Sequence, residues 1–360
     1  MLEAIDEMKS EVQEEEPFMT GEKTNEALFL FVSASIGVLL NSTIVICILS
    51  SRTLRQTGNA FILHGCLLDV IRSAYCFPFG QSLLRDVVPS FCSLLGASYV
   101  IFVTVSGFNL VAMTCCEAFT FSERRLRSQN IDIDTGKDKT AEAANLWCVA
   151  FGVLMVYIGS VVIQLGPTII GGDFNYNELI GNCIFSYGTV KSYVTHAMWM
   201  AIMTLAMTSA LYYLVYFHRH IQSAVRLPLS PDGAVVDSAD QLAIRIAVRD
   251  SLCRSRVLAL MTSIFIVCWY PLYLLTLIDP RFQLSTKIYK LLTFVAWSNG
   301  ALNPLVLLLF DRQIGAYGRS LLRYVVCCRH GQQDGRDGSR LGSRTNNSTQ
   351  LMNVVTCDSE

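Results

Sequence analysis

The 360-residue chain is 52% hydrophobic and only 16% charged, with a mean hydropathy of +0.42. That balance excludes an ordinary soluble domain and leaves a membrane protein. The formal net charge of −1 says nothing by itself about partners, and no nucleic-acid partner is expected.

Seven apolar stretches run from Ala27 to Leu49, Ala60 to Phe79, Phe91 to Phe121, Ala144 to Ile170, Tyr193 to Phe217, Arg256 to Ile278 and Ile288 to Phe310. Each is about 20 residues or more, enough to cross a bilayer as a helix. The expected fold class is an all-α membrane protein, a seven-transmembrane helix bundle with a short amphipathic eighth helix. Residues 1–26 are acidic, with Glu14, Glu15 and Glu16 before Pro17, and lack the basic start and cleavage site of a signal peptide, so helix one is expected to act as an uncleaved anchor. Basic residues are retained on the cytoplasmic side. With the amino terminus outside, the inner segments carry 20 Lys and Arg and the outer segments 7. The expected organisation is therefore a multi-pass plasma-membrane protein with an extracellular segment over 1–26, a bundle over 27–310, an amphipathic helix over 311–328 and a disordered cytoplasmic tail over 329–360. Of 13 cysteines, only Cys92 and Cys183 fall clearly outside, with Cys76 near the outer end of helix two as a competitor.

In helix one, Asn41 interrupts an apolar run. Asn41-Ser42-Thr43 reads as a glycosylation sequon, but at membrane depth the amide is expected to make an interhelical hydrogen bond worth about 1 kcal/mol. Helix two carries Asp69 and Arg72, three apart on one face. Charges at that depth face the bundle interior by default and mark a functional site. Either the two pair with each other, or Arg72 points upward to receive an acidic ligand group. Glu117, at the inner boundary of helix three, needs a cation or water. Arg254 and Arg256 at the start of helix six compete for it with Arg124 and Arg125 in the next loop.

The loop over 171–178 is turn-rich and reads as flexible, either covering a ligand or filling the cavity itself. The amphipathic stretch Gln241 to Leu252 extends helix six. Pro271 follows Cys268-Trp269-Tyr270, and Pro304 ends Asn299-Gly300-Ala301-Leu302-Asn303-Pro304. A membrane proline frees one backbone carbonyl and is tolerated where neighbouring helices, polar side chains or waters take up the lost partner. Asn299 and Asn303 are four apart, on one helical face. After helix seven, basic and apolar residues alternate and end in Cys327-Cys328, a pattern for a helix lying on the membrane and held by palmitoylation.

Residues 268–271 and 303–304 resemble helices six and seven of the rhodopsin-like (class A) G-protein-coupled receptors. Asn41, Asp69, Cys92, Trp147 and Cys183 match the same family in order and spacing, over roughly 27–328. The resemblance implies a Cys92–Cys183 disulfide and a polar core of Asn41, Asp69, Ser106, Asn299 and Asn303 that holds a sodium ion, unless Arg72 displaces it. It also implies a switch made by position 117, Trp269, Pro271 and Pro304, with a heterotrimeric G protein and arrestin as cytoplasmic partners.

The chain departs from the family at moving parts. Cys116-Glu117-Ala118 replaces Asp-Arg-Tyr, Leu307 replaces the final tyrosine, and helix five has no proline between Ser192 and Ile221, with Tyr213 or Tyr216 left to serve as its inner tyrosine. Tyr99 stands where amine receptors carry an aspartate, and Trp297 where opsins carry the retinal lysine. The ligand-facing set Arg72, Tyr99, His196, Trp269, Tyr273 and Lys290 suggests a peptide or acidic small molecule over an amine. The alternative keeps the fold but makes the chain a scaffold, decoy or partner of another receptor, with no or constitutive coupling. An enzyme is not expected: His64 and His196 lie at opposite ends of the bundle, so they cannot share a metal.

Overall fold

A computed structural model of the chain describes residues 2–55, 57–85, 87–129, 138–169, 174–177, 182–185, 190–226 and 238–320, with side chains described over most of 21–320. Seven long helices follow one another: α1 Leu2–Ser50, α2 Ala60–Arg85, α3 Cys92–Gln129, α4 Asp138–Ile169, α5 Val190–Arg226, α6 Ser238–Ile278 and α7 Thr286–Phe310. A single 3-10 turn, Thr57–Asn59, leads into α2, and residues 312–320 form a further helix, α8. Residues 319–360 make up a second unit, and Cys327 and Cys328 lie outside the described residues.

Six helices hold spans of membrane length: Lys23–Ser50, Ala60–Arg85, Cys92–Phe121, Ser192–Gln222, Val248–Ile278 and Thr286–Phe310; α4 adds the apolar segment Val149–Ile163. Large apolar side chains such as Leu39, Leu205, Val267 and Leu309 point outward from them, a surface suited to lipid tails and not to water. Several helices run on beyond their apolar stretches. The added turns are rich in Glu in α1 and in Ala and Arg in α6, which are good helix formers, and α6 extends over the amphipathic stretch as expected.

The loop read as turn-rich holds a strand instead. Phe174–Asn177 (β1) pairs antiparallel with Asn182–Phe185 (β2), placing Tyr176 opposite Cys183. The Cys92–Cys183 disulfide ties this hairpin to the start of α3. Gly96 permits the close approach, since a Cβ there would stand 2.8 Å from the Phe174 ring and 3.0 Å from the Cys183 carbonyl oxygen.

Helices α1, α2 and α7 meet at Gly37, Ser73 and Gly300. Pro304 has no N–H to give the carbonyl of Gly300. Asn41 on α1 supplies the replacement, its Nδ2 donating to Gly300 O at 2.9 Å and to Gly37 O at 2.8 Å. The proline break in α7 is thus repaired by a neighbouring helix, and the repair requires small residues around it. A Cβ on Gly37 would stand 2.2 Å from Ser73 Oγ and 3.0 Å from Ser73 Cβ. Gly37→Ala is therefore expected to destabilise the bundle by about 1–3 kcal/mol through overpacking, read as a lower unfolding temperature of the purified chain.

The α6–α7 connection is built around Asp279. Its Oδ2 accepts from Leu284 N at 2.8 Å and from Tyr289 Oη at 2.9 Å, while the fully buried Tyr289 ring packs on Phe282 at 5.0 Å. The Leu284 amide, more than any other group, holds the Asp279 carboxyl below its ordinary value. A carboxyl lowered in the folded state supports the turn above its unfolded pKa and loses that support as pH falls through the folded value. Acidification below pH 4 is accordingly expected to speed hydrogen exchange at the Leu284 amide, and Asp279→Asn should flatten that pH dependence.

Candidate functional site

Asp69 and Arg72 of α2 turn inward and pair with each other. Arg72 Nη2 donates to Asp69 Oδ1 and, at 2.9 Å, to Asn299 Oδ1, while Asn303 Nδ2 donates to Asp69 Oδ2 at 2.8 Å. Asp69 and Arg72 are both buried. The three-residue spacing places both charges on one face, and the four-residue spacing of Asn299 and Asn303 sets an amide beside each. Both oxygens of Asp69 are satisfied, but Arg72 Nε and Nη1, Ser106 Oγ and Asn303 Oδ1 have no hydrogen-bond partner among the described residues. Beside Asp69 lies a cavity of about 20 Å³ lined by Cys66, Ser106, Asn109, Asn303 and Leu307 among others, space for about one water-sized species. Asn41 belongs to the adjoining α1–α7 repair, where its amide donates to Gly37 O and Gly300 O.

Towards the disulfide end the bundle is filled by aromatic side chains. Tyr99 lies 5.8 Å from Trp269 and 6.3 Å from Trp297, Trp269 stacks on Tyr273 at 5.6 Å, and Trp297 stacks on Phe79 at 5.2 Å. His196 joins through Tyr273 at 5.9 Å and Trp199 at 5.8 Å. The structure thus brings together four of the six residues named as ligand-facing: Tyr99, His196, Trp269 and Tyr273. Arg72 is instead committed to Asp69, and Lys290 Nζ is held by Glu26 at 2.8 and 3.1 Å. Sequence reading missed Trp199, whose Nε1 donates to Thr104 Oγ1 at 2.9 Å. The signal was available, because Trp199 falls one helical turn after His196. Glu26 carried no comparable signal.

At the opposite end, near the Thr57–Asn59 turn, Glu117 is 5% exposed. Arg254 Nη1 of α6 faces its Oε2 at 3.7 Å, and Arg254 Nη2 donates to Asn59 Oδ1. Asn59 is itself fixed, its Nδ2 donating to Leu54 O at 2.8 Å. Gly58 leaves room for the guanidinium, since a Cβ there would stand 3.1 Å from Arg254 Nη1. Of the four cations named for Glu117, Arg254 is the one placed against it; Arg256 is exposed, and the side chains of Arg124 and Arg125 lie outside the described residues. Phe121, Phe217 and Ile221 pack beside this cluster, against Val248 and Leu252 of α6.

Further along, Asp311 caps α8, its Oδ1 accepting from Ile314 N at 2.9 Å and Gln313 N at 3.0 Å. The two candidates for the inner tyrosine of α5, Tyr213 and Tyr216, are 41% and 58% exposed, while Ala210, Leu214, Phe217 and Ile221 face inward. Trp147 is also on the outer surface.

No family model matches the chain. It is 24% identical to the human 5-hydroxytryptamine receptor 4 over 354 residues, covering 90% of this chain and 85% of that protein. It is 23% identical to the human alpha-1D adrenergic receptor over 333 residues, covering 84% of this chain and 56% of that protein. The crystal structure of squid rhodopsin superposes with a TM-score of 0.65 at 12% identity, covering 90% of this chain and 93% of the rhodopsin chain. These relatives are receptors and not enzymes. With seven apolar helices in the rhodopsin arrangement and a hairpin bridged to α3, this chain is a multi-pass membrane protein of the rhodopsin fold, related to the rhodopsin-like G-protein-coupled receptors.

Proposed function

We propose that the chain is a cell-surface receptor of this class, its disulfide end outward and the end carrying Thr57–Asn59 in the cytoplasm, held inactive by a latch of inverted polarity. The ion pair of Glu117 with Arg254 carries this reading. It joins α3 to α6 at the end where a cytoplasmic partner must enter, with an acid on α3 where the family has its arginine. In the mechanism, a ligand beneath the hairpin shifts Trp269, the Pro271 break lets α6 swing outward, and a G protein, and later arrestin, enters the cleft.

The residues at the disulfide end of the bundle favour a peptide or acidic small molecule over an amine. Tyr99 brings no carboxylate, and Asp69 is already matched by Arg72. Arg72 Nε and Nη1 and Trp269 Nε1 are buried donors without acceptors among the described residues, and a ligand acid at the outer mouth would compete with Glu26 for Lys290. The amines in the relatives' names are not carried over. Arg72 also stands in for a sodium ion, because its guanidinium already neutralises Asp69.

The scaffold or decoy reading draws on the same acid at 117 and on the aromatic side chains that fill the disulfide end of the bundle. Basal nucleotide exchange on a panel of G proteins separates the two. Arg254→Ala should exchange several-fold faster than the unaltered chain at equal surface expression; equal and minimal exchange from both would favour the scaffold.

A further inference from the structure

The latch leaves a shaped vacancy behind when it opens. Arg254 sits between two acceptors that belong to other elements: the Glu117 carboxylate on α3 and Asn59 Oδ1 on the 3-10 turn. Neither moves with α6. Glu117 Oε1 already has no hydrogen-bond partner among the described residues, and Asn59 cannot turn its amide towards the carboxylate without giving up its bond to Leu54 O. Once α6 carries Arg254 away, a nearly buried carboxylate and a buried amide oxygen face one another across a space sized for a guanidinium. Stripping a buried charge of its partner is strongly unfavourable, so the open state needs another cation in that place.

The rim has the opposite sign. Arg52 and Arg55 in the segment before the 3-10 turn, Arg249 and Arg256 on α6 and Arg312 on α8 are exposed, and among them Arg312 is paired with Asp250 at 3.9 Å. A partner studded with basic residues would be repelled before it reached Glu117.

We propose that the cytoplasmic partner of this receptor inserts a segment with acidic flanks and a single arginine or lysine at its tip, which replaces Arg254 between Glu117 and Asn59. The inference rests on the latch described under Proposed function. It specifies the chemistry of the partner that enters, which that reading leaves open.

The test uses the full chain in lipid nanodiscs and a set of short, acidic helical peptides that differ only in one residue of the final turn: Arg, Gln or Glu. On Arg254→Ala, the Arg peptide is expected to bind about tenfold or more tighter than the Gln peptide, with the Glu peptide weakest, as charge pairs at interfaces are worth. Adding the near-isosteric Glu117→Gln should abolish the ranking. The unaltered chain gives a second reading that needs no variant to fold: the same order, with all affinities lowered by competition from Arg254. Equal binding of the three peptides, or a preference that survives Glu117→Gln, overturns the proposal. Nucleotide exchange tells the two failures apart. If Arg254→Ala exchanges no faster than the unaltered chain, the latch fails and this inference falls with it; if exchange rises but no peptide preference appears, this inference alone is wrong.

Discussion

Arg72→Met is expected to lower the unfolding midpoint of the purified chain by about 5 °C, more than any other single side-chain truncation discussed above. The change removes the cation from Asp69, which is 4% exposed and among the described residues has Asn303 as its one other side-chain partner. Breaking a buried pair by removing one partner typically costs about 3–5 kcal/mol, because the remaining charge is stranded, and a chain of this length loses roughly 1–2 °C per kcal/mol, since the unfolding entropy grows with size. Asp69→Asn should be comparably harmful, since it strands Arg72. The double variant Asp69→Asn, Arg72→Met should recover most of the loss: replacing both members of a buried pair is often neutral, and an asparagine can still meet Asn303. A fall of less than about 2 °C for Arg72→Met would show that the guanidinium is not the partner that keeps Asp69 in the core.

The second large effect is on signalling. Arg254→Glu sets a carboxylate where the guanidinium faces Glu117 at 3.7 Å. Two charges near 4 Å interact by about 4 kcal/mol at the effective dielectric of a partly buried site, so an attraction of that order becomes a repulsion between α3 and α6. Basal nucleotide exchange is expected to rise about tenfold or more. The swap Glu117→Arg, Arg254→Glu restores the pair and should return exchange most of the way. The return is incomplete, because Asn59 presents an acceptor to position 254 and a glutamate there can offer it no donor. High exchange in both the single variant and the swap would mean that the charge pair does not hold the helices.

How far the sequence could reveal this arrangement depended on how local each determinant was. Asp69 and Arg72 are one turn apart on one helix, so their shared face follows from the helical period alone. Pro304 announced a freed carbonyl and Asn41 an unpaired amide, and only those two needed to meet for the α1–α7 repair to form. Glu117 was different. Its need for a cation was plain, but whether Arg254, Arg256, Arg124 or Arg125 answers it depends on how α3 and α6 lie against each other, which no local pattern encodes.

One feature escaped. The strand Phe174–Asn177 lies among glycines and asparagines that favour turns; its pairing with Asn182–Phe185 forms where Cys183 is tethered to α3. On α5, a regular helix with no proline to shift its phase, positions 210, 214, 217 and 221 turn inward.

The most direct test of the latch is the distance between α3 and α6 at the end that carries it. Spin labels at the exposed positions Phe119 on α3 and Arg249 on α6 report it by pulsed electron resonance in nanodiscs. The account predicts one short distance in the unaltered chain and a second, longer population in both Arg254→Ala and Glu117→Gln. A single, unchanged distance in all three would mean that Glu117 and Arg254 do not hold the bundle closed.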